Sequence, residues 1–175
     1  MLNCIINDKI KQMVLKGKVH KFGDNVNTDY IISGRHKFRT LNMNELITHL
    51  FEDIEPLFFK KIRKGDFIVG GRNFGCGSSR EQAPLVIKQS GIAAVLAESF
   101  ARIFFRNCIN VGLLAIECNT RMIDSGDELE INLEKGIVKN LAQKKILKFK
   151  KLTEIMIQIL QEGGLTPYLK KNKSF

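Results

Sequence analysis

A glycine-rich stretch between two apolar runs constrains the fold more than any other feature of this sequence. It reads GGRNFGCGSSREQAP at 70–84, directly after a short apolar run at 66–70 and before IAAVLAE at 92–98. Short runs rich in β-branched residues predict strands, and the residues between them predict a helix. Ligands bind at the carboxyl ends of strands in α/β folds, so we expect the glycine-rich loop to belong to a site.

The loop fits none of the common glycine motifs. A phosphate-binding loop needs a lysine where Cys76 stands. A dinucleotide-binding fingerprint needs a third glycine where Arg80 stands. A nucleophile elbow needs glycines two positions before and after its serine, and neither Ser78 nor Ser79 has both. The loop is therefore predicted to handle an anion in another way.

Glycines and serines give this loop two possible uses. Gly75 and Gly77 allow backbone N–H groups to converge on a negative charge, because no side chain stands in the way. Ser78 and Ser79 each precede Glu or Gln by three positions, as in a capping box, so a helix should begin close by. The proline at the end of the loop moves the predicted helix start beyond the serines.

Local pattern leaves the roles of the serines and of Arg80 open. In one interpretation Ser78 and Ser79 cap the helix and Arg80 is a surface charge. In the other, backbone donors and the guanidinium stabilise a serine alkoxide, which serine needs before it can act as a base at neutral pH. Arg80 can alternatively clamp a substrate carboxylate with two parallel hydrogen bonds.

A second polar cluster, GDNVNTDYIISGRHKFRT, stands at 23–40. Its Asn-Thr-Asp is compatible with a plain turn, in which the side chains bond their own backbone. Arg35, Lys37 and Arg39 follow within five residues. Such a dense set of cations suits carboxylates as well as solvent.

The rest of the chain predicts parallel units first, then antiparallel strands, then a closing helix. The predicted elements are a helix at 100–109, a strand at 113–117, a hairpin of 127–133 and 137–141, and a helix at 152–162 that stops at two glycines.

The net charge is +10, from 28 Lys and Arg against 18 Asp and Glu. A basic chain can bind nucleic acid, an acidic partner or an anionic substrate. Many charges, however, are lysines at 60–64, 144–151 and 170–173, without interleaved aromatics or a nucleic-acid-binding signature. We expect a solvated basic surface and no nucleic-acid partner; a stand-alone anion- or nucleic-acid-binding module is the alternative of a different class.

The cysteines and the length point to one reduced domain. The four cysteines, Cys4, Cys76, Cys108 and Cys118, lack C-x-x-C spacing, which argues against a zinc site and a disulfide framework. Cys76 is expected to be a small buried filler, and the chain is expected to be cytoplasmic.

No apolar stretch approaches the ~20 residues of a membrane span. We predict a domain at 14–170, preceded by an extension at 1–13 and followed by a basic tail at 171–175.

Three long motifs resemble one family when taken together. GDNVNTD at 23–29, NFGCGSSRE at 73–81 and SFARIFFRN at 99–107 are similar, in order and separation, to the small subunit of 3-isopropylmalate dehydratase and of the related homoaconitase. The resemblance covers about 14–170. It implies an α/β fold, the three-layer β/β/α swivelling domain of aconitase, supplied as a separate chain.

The resemblance also implies a reaction and a partner. The reaction is the isomerisation of 2-isopropylmalate to 3-isopropylmalate by dehydration and rehydration, in leucine biosynthesis, with homoaconitate as the alternative substrate. The partner is a large subunit, in a heterodimer or heterotetramer, that carries a four-iron, four-sulfur cluster on its own cysteines. This chain is therefore expected to bind no cofactor or metal itself and to be inactive alone.

Residue roles follow from the same resemblance. Ser78 matches the general base that removes and returns the proton next to a carboxylate. Arg80 matches an arginine that binds a substrate carboxylate and supports the alkoxide. Ser79 shapes the loop that holds the oxyanion, and this loop includes Gly75 and Gly77.

The first motif contributes an acidic residue, Asp29, to the expected catalytic network, and Thr28 to substrate binding. Relatives with different substrates differ just downstream, where Phe38 can offer an apolar wall to an isopropyl group and Arg39 can grip a third carboxylate. The sequence departs from the family at Gln82, where histidine is usual, which puts one contact behind the loop in doubt.

Overall fold

The computed structural model describes residues 14–37 and 42–172. The strands are β1 (Val14–Lys21), β2 (Phe67–Val69), β3 (Ala94–Ala97), β4 (Leu114–Glu117), β5 (Glu128–Asn132), β6 (Ile137–Asn140) and β7 (Lys145–Lys148). They form one seven-stranded sheet in the order β4-β3-β2-β1-β5-β6-β7. Strands β1 to β4 are parallel, whereas β5, β6 and β7 continue from the other edge of β1 as antiparallel strands.

Helices connect and flank these strands. They are α1 (Thr28–Ile31), α2 (Gly34–Lys37), α3 (Met43–Thr48), α4 (Gln82–Gln89), α5 (Arg102–Val111), α6 (Glu154–Gln161) and α7 (Leu165–Asn172), with 3-10 turns at Phe58–Lys60 and Thr120–Met122. Among the residues described, no helix has the length and apolar character needed to cross a bilayer.

The parallel half of the sheet is covered on both faces, which explains why its strands read as continuous apolar runs. One face, represented by Ile68 and Val95, packs in a core with residues of the helices. The alternate residues, such as Leu96, pack in a second core with Leu129 and Val138 of the antiparallel strands. The sheet therefore folds over itself, and the layers are β/β/α as the sequence resemblance implied.

The α/β fold class is confirmed, together with the order of parallel units, antiparallel hairpin and closing helix. Several elements were not predicted: β1, the three short helices α1 to α3, β7 and α7. Strand β7 lies in a lysine-rich segment expected to be solvated, yet Leu147 is buried and Ile146 is exposed at the edge. Helix α7 follows the two glycines and runs to Asn172, past the predicted domain end at 170. Residues 1–13 and 173–175 are outside the described ranges, so the domain boundaries stay predictions.

Two of the described cysteines are buried and the third is not. Cys108 and Cys118 are buried, and burial raises the pKa of the Cys118 thiol to about 12 and that of Cys108 well above its usual value. Cys76 is not the buried filler that was predicted, because it is only partly buried, with its Sγ 3.5 Å from the Asn25 carbonyl oxygen. Cys4 lies outside the described residues.

Candidate active site

The glycine-rich loop leaves the carboxyl end of β2 and is fixed on one side by the first sequence motif. The Gly75 N–H donates to the Val26 carbonyl at 2.8 Å, and the Thr28 N–H donates to the Cys76 carbonyl at 2.8 Å. These bonds join segments about fifty positions apart in the chain. The loop and the Asn-Thr-Asp turn therefore form one rigid unit.

The third motif holds the loop from the other side. The Phe74 N–H donates to the Ser99 carbonyl at 3.0 Å, and the Ala101 N–H donates to the Phe74 carbonyl at 2.9 Å. Helix α5 begins directly afterwards. The three motifs, separate in sequence, thus meet at the carboxyl edge of the parallel strands, as α/β folds favour for ligand binding.

Both loop glycines are required by the backbone. Gly75 has φ +79°, and a Cβ there would lie 2.1 Å from Cγ of Phe104. Gly77 has φ +91°, and a Cβ there would lie 2.3 Å from Oδ1 of Asn27. Any side chain at either position would combine a strained left-handed conformation with a steric clash.

The serines point to solvent and do not cap the helix. Helix α4 begins at Gln82, and its N-cap residue, Glu81, makes no side-chain capping bond. Ser78 and Ser79 are exposed, and their hydroxyls bond to no other residue in 14–37 or 42–172. Buried Thr28 instead fixes the backbone, because its hydroxyl donates to the Ser78 carbonyl at 2.9 Å. The capping interpretation is wrong, and both serine hydroxyls are available to a ligand.

Arg80 is not a free surface charge. Its side chain is 12% exposed, and Nη2 lies 2.5 Å from Oδ1 of Asp29, which is 49% exposed. Its Nη1 donates to the Ile32 carbonyl at 3.0 Å. A guanidinium has five N–H donors, so this arrangement orients the group and leaves donors for a substrate carboxylate. The structure thus pairs Asp29 with Arg80, as the expected network of these two residues requires.

Asn27 organises the turn that presents Asp29, as the interpretation of Asn-Thr-Asp as a turn whose side chains bond their own backbone predicts. Its side chain caps α1 by accepting from the Asp29 N–H at 2.9 Å. The same side chain contacts the loop beside Gly77. The available signal was the Asn-x-Asp spacing, since Asn is a preferred N-cap residue.

These groups share one cavity of about 300 Å³. Its lining residues are Thr28, Gly75, Gly77, Ser78, Ser79, Arg80, Ala101, Arg102, Ile103 and Phe104. The loop supplies the serine hydroxyls and Arg80, whereas the segment at the start of α5 supplies the charged Arg102 together with Ala101 and the exposed Ile103. Ala101 and Ile103 were not predicted as lining residues, because apolar residues at the start of an amphipathic helix are normally interpreted as core.

Two of the predicted substrate-binding residues, Phe38 and Arg39, lie outside the described residues. The other predicted site residues all come together: Thr28, Gly75, Gly77, Ser78, Ser79 and Arg80 line the cavity, and Asp29 pairs with Arg80. Their chemical roles stay predictions, since geometry alone does not test them.

Comparison with known proteins identifies the family. The aconitase C-terminal domain model matches residues 57–121. A 3-isopropylmalate dehydratase small subunit from Archaeoglobus fulgidus is 52% identical over 160 residues, covering 91% of this chain and 97% of its own. A methanogen homoaconitase small subunit from Methanothermobacter thermautotrophicus is 48% identical, covering 90% and 92%.

A solved structure gives the same result. The crystal structure of 3-isopropylmalate dehydratase from Methanocaldococcus jannaschii matches with a TM-score of 0.88 and 50% identity, covering 92% of this chain and 96% of that one. Sequence and fold agree over nearly the whole chain. The chain therefore belongs to the family of 3-isopropylmalate dehydratase small subunits, which are hydro-lyase subunits of the aconitase superfamily.

Proposed function

We propose that this chain, with a large iron–sulfur subunit, isomerises 2-isopropylmalate to 3-isopropylmalate by dehydration and rehydration. The observation that carries the proposal is the mixed lining of the cavity at the glycine-rich loop. The lining combines the free hydroxyls of the serines and two arginines, Arg80 and Arg102, with the apolar Ala101 and Ile103. Such a lining suits a substrate that has both carboxylates and an apolar substituent.

In this proposal Ser78 is the general base. As an alkoxide it takes the proton from the carbon next to a carboxylate while the hydroxyl leaves the neighbouring carbon, which gives an alkene. Ser78 then returns the proton to the other carbon as water adds. The alkoxide needs stabilisation, and the amides of the loop that Gly75 and Gly77 allow, with Ser79 shaping it, are preorganised donors for a negative charge.

Arg80 and its partners bind the substrate in this proposal. The guanidinium donates to a carboxylate with the N–H groups that Asp29 and Ile32 leave unused. Asp29 holds the guanidinium in place and belongs to the catalytic network. Thr28, buried beneath the loop, lines the cavity and fixes the Ser78 backbone.

We assign the four-iron, four-sulfur cluster to the large subunit, where it would supply the Lewis acid for the leaving hydroxyl. Within the described chain, Cys76, Cys108 and Cys118 do not gather into a ligand group. Relatives named small subunits support a large partner, which would form a heterodimer or heterotetramer with this chain. We also propose a cytoplasmic location, in keeping with the free thiols.

Reconstitution tests the proposal. The full chain and its large subunit are purified separately, and conversion of 2-isopropylmalate is followed for each alone and for the mixture. We expect activity only in the mixture, because base and Lewis acid are on different chains. Isomerase activity of this chain alone after chelator treatment would contradict the division of labour.

Homoaconitate is the second candidate substrate. The similarity to a homoaconitase small subunit favours it, as does Arg39, which can grip a third carboxylate. A desolvated arginine beside an isopropyl group would lose charge-assisted bonds of roughly 1.5–3 kcal/mol each. If isopropylmalate is the substrate, Arg39→Val leaves its turnover within a few-fold and depresses homoaconitate turnover. Loss of both activities would make Arg39 a general substrate clamp.

A further inference from the structure

Two of the three histidines of this chain stack on each other outside the candidate active site. His36 lies in α2 and His49 directly follows α3, and their ring centroids are 3.6 Å apart with an interplanar angle of 9°. Glu52, one turn further along, faces both rings. None of the three lines the cavity at the glycine-rich loop.

The Glu52 carboxylate bridges the two histidines with its two oxygens. Oε1 contacts Nε2 of His36, and Oε2 lies 2.6 Å from Nδ1 of His49. Each carboxylate oxygen thus contacts one imidazole nitrogen, and the three side chains form one bonded cluster.

We propose that His36, His49 and Glu52 form a site for one divalent transition-metal ion, with Zn²⁺ the best match. One ligand atom from each residue lies within 4.8 Å of the others. Two imidazole nitrogens and one carboxylate oxygen are a common zinc donor set, with water in the fourth position. Two ligands of a tetrahedral zinc are about 3.3 Å apart, from Zn–N distances of roughly 2.0–2.1 Å. The ligand atoms of this cluster therefore lie within reach of a single ion after small side-chain movements.

The backbone around the cluster is well anchored, so the three ligand residues are held close together. The Phe51 N–H donates to the Ile31 carbonyl at 3.0 Å, and Leu50 and Phe51 are fully buried between the two ligands of this turn. The His36 N–H donates to the Ser33 carbonyl at 3.1 Å. Binding requires the nearly parallel imidazoles to rotate out of their stack, so that their lone pairs converge on one ion.

Charge and access also suit a cation. The neighbouring Asp53 is neutralised by Arg35 at 2.7 Å, so Glu52 leaves the cluster with one negative charge. The side chains of His36, His49 and Glu52 are 19%, 28% and 26% exposed. The site is therefore shielded enough to hold its geometry and open enough for the ion and its water to enter.

A bound ion would link α2 to the turn after α3. That turn already bonds to Ile31, and the next carbonyl, of Ile32, accepts from Arg80. The ion would therefore stabilise the segment on which the Arg80 guanidinium rests. This structural role is independent of the proposed isomerase reaction, since no reacting group takes part.

Calorimetric titration of the metal-free full chain with Zn²⁺ tests the site. We expect binding of one ion per chain, with His36→Gln and His49→Gln each weakening it by at least about 100-fold, since loss of even an outer-shell partner costs roughly 10- to 100-fold. The matched control is His20→Gln, which changes the remaining histidine, bonded to Asp66, and should leave the affinity within a few-fold. Circular dichroism checks that each variant is folded.

Cobalt spectroscopy of the unmodified chain gives a readout that needs no variant. Co²⁺ at this site should show visible d–d absorption without the intense thiolate charge-transfer band that cysteine ligands produce. A thiolate band would assign the metal to cysteine, and equal Zn²⁺ affinity of the wild type and of both ligand variants would show that the histidines are not ligands. Either result, or the absence of Zn²⁺ binding, overturns the proposal without affecting the assignment of the isomerase reaction.

Discussion

Two polar clusters, one in each half of the sheet, use their side chains in opposite ways. In the antiparallel half, Asn140 is 1% exposed and fully bonded. Its Nδ2 donates to Asp127 Oδ2 at 2.6 Å and to the Met122 carbonyl at 3.2 Å, and its Oδ1 accepts from the Gln143 N–H at 3.1 Å. In the parallel half, Ser78 is exposed, and its hydroxyl bonds to no other described residue.

This difference separates stability from function. A buried polar group must be satisfied by the protein, so removing it costs folding free energy. A polar group that the protein leaves unsatisfied at a cavity contributes little to folding and can serve a ligand. Changes to the free serine hydroxyls should therefore affect turnover, and changes around Asn140 should affect unfolding.

The largest effect is expected for Ser78→Ala. A positioned proton-transfer group supplies roughly 10²–10⁴-fold in rate, so kcat of the reassembled enzyme should fall by that order while KM changes little. Ser79→Ala should reduce kcat less. The matched control is Ser125→Ala, an exposed serine in the turn before β5, which should leave kcat unchanged. Near-normal turnover of Ser78→Ala would mean that another group is the base.

A matched pair of glycine substitutions comes next. Gly75→Ala combines left-handed strain of roughly 1–2 kcal/mol with overpacking against Phe104 of roughly 1–3 kcal/mol. Gly126→Ala, in the antiparallel half, has a similar φ of +86° with no atom within 4 Å of the added Cβ, so it carries only the strain. Urea unfolding of the full chain measures both. Equal losses of stability would show that the loop relaxes around the extra methyl group.

Asn140→Ala should act on stability alone. The change leaves the Met122 carbonyl and the Gln143 N–H without their partner, which costs about 1–3 kcal/mol for each buried group that stays unsatisfied. Urea unfolding should register the loss, while kcat of the reassembled enzyme stays within two-fold. A fall in kcat as large as that of Ser78→Ala would break the division between the two halves.

The sequence predicted the parts of the fold that depend on local signals. The strand around Ile68, the hairpin in the antiparallel half and the loop around Gly75 and Gly77 each have a local period or a turn residue. Strand β7 was missed, because four residues flanked by lysines alternate too briefly to stand out. The sequence thus predicted which loop residues meet at the cavity, although not every residue that lines it.

The missing parts of the site depend on contacts that leave no pattern in the sequence. Arg80 donates to the backbone carbonyl of Ile32. Since every residue has a backbone carbonyl, the sequence does not identify this partner. The serine hydroxyls are free because α4 starts at Gln82. The sequence spacing fits a capping box and therefore does not reveal this. His36 and His49 come together only because the turn at Phe51 bonds back to Ile31, so their spacing resembles no metal motif.

The smallest expected effect is on the folding stability at acid pH. Burial raises the pKa of Asp127, but the Asp124 N–H, the amides of Asn140 and Gln143 and the charge of Lys21 together hold it below the ordinary value of 3.8. A carboxyl group with a depressed pKa stabilises the fold above its unfolded pKa, and this contribution is lost as pH falls through the folded pKa.

Asp127→Asn should therefore be less stable than the wild type near neutral pH, and the difference should shrink as pH falls below about 4. The asparagine keeps an acceptor oxygen for Asn140 but carries no charge, so the pH-dependent part of the difference reports the carboxylate. Urea unfolding at a series of pH values measures it.

In Asn140→Ala the carboxylate loses one donor, so the pKa of Asp127 should rise toward its ordinary value in a carboxyl NMR titration. An unchanged pKa would mean that the backbone N–H of Asp124 and the amide of Gln143 are sufficient, and that Asn140 stabilises this half of the sheet through its bonds to the backbone alone.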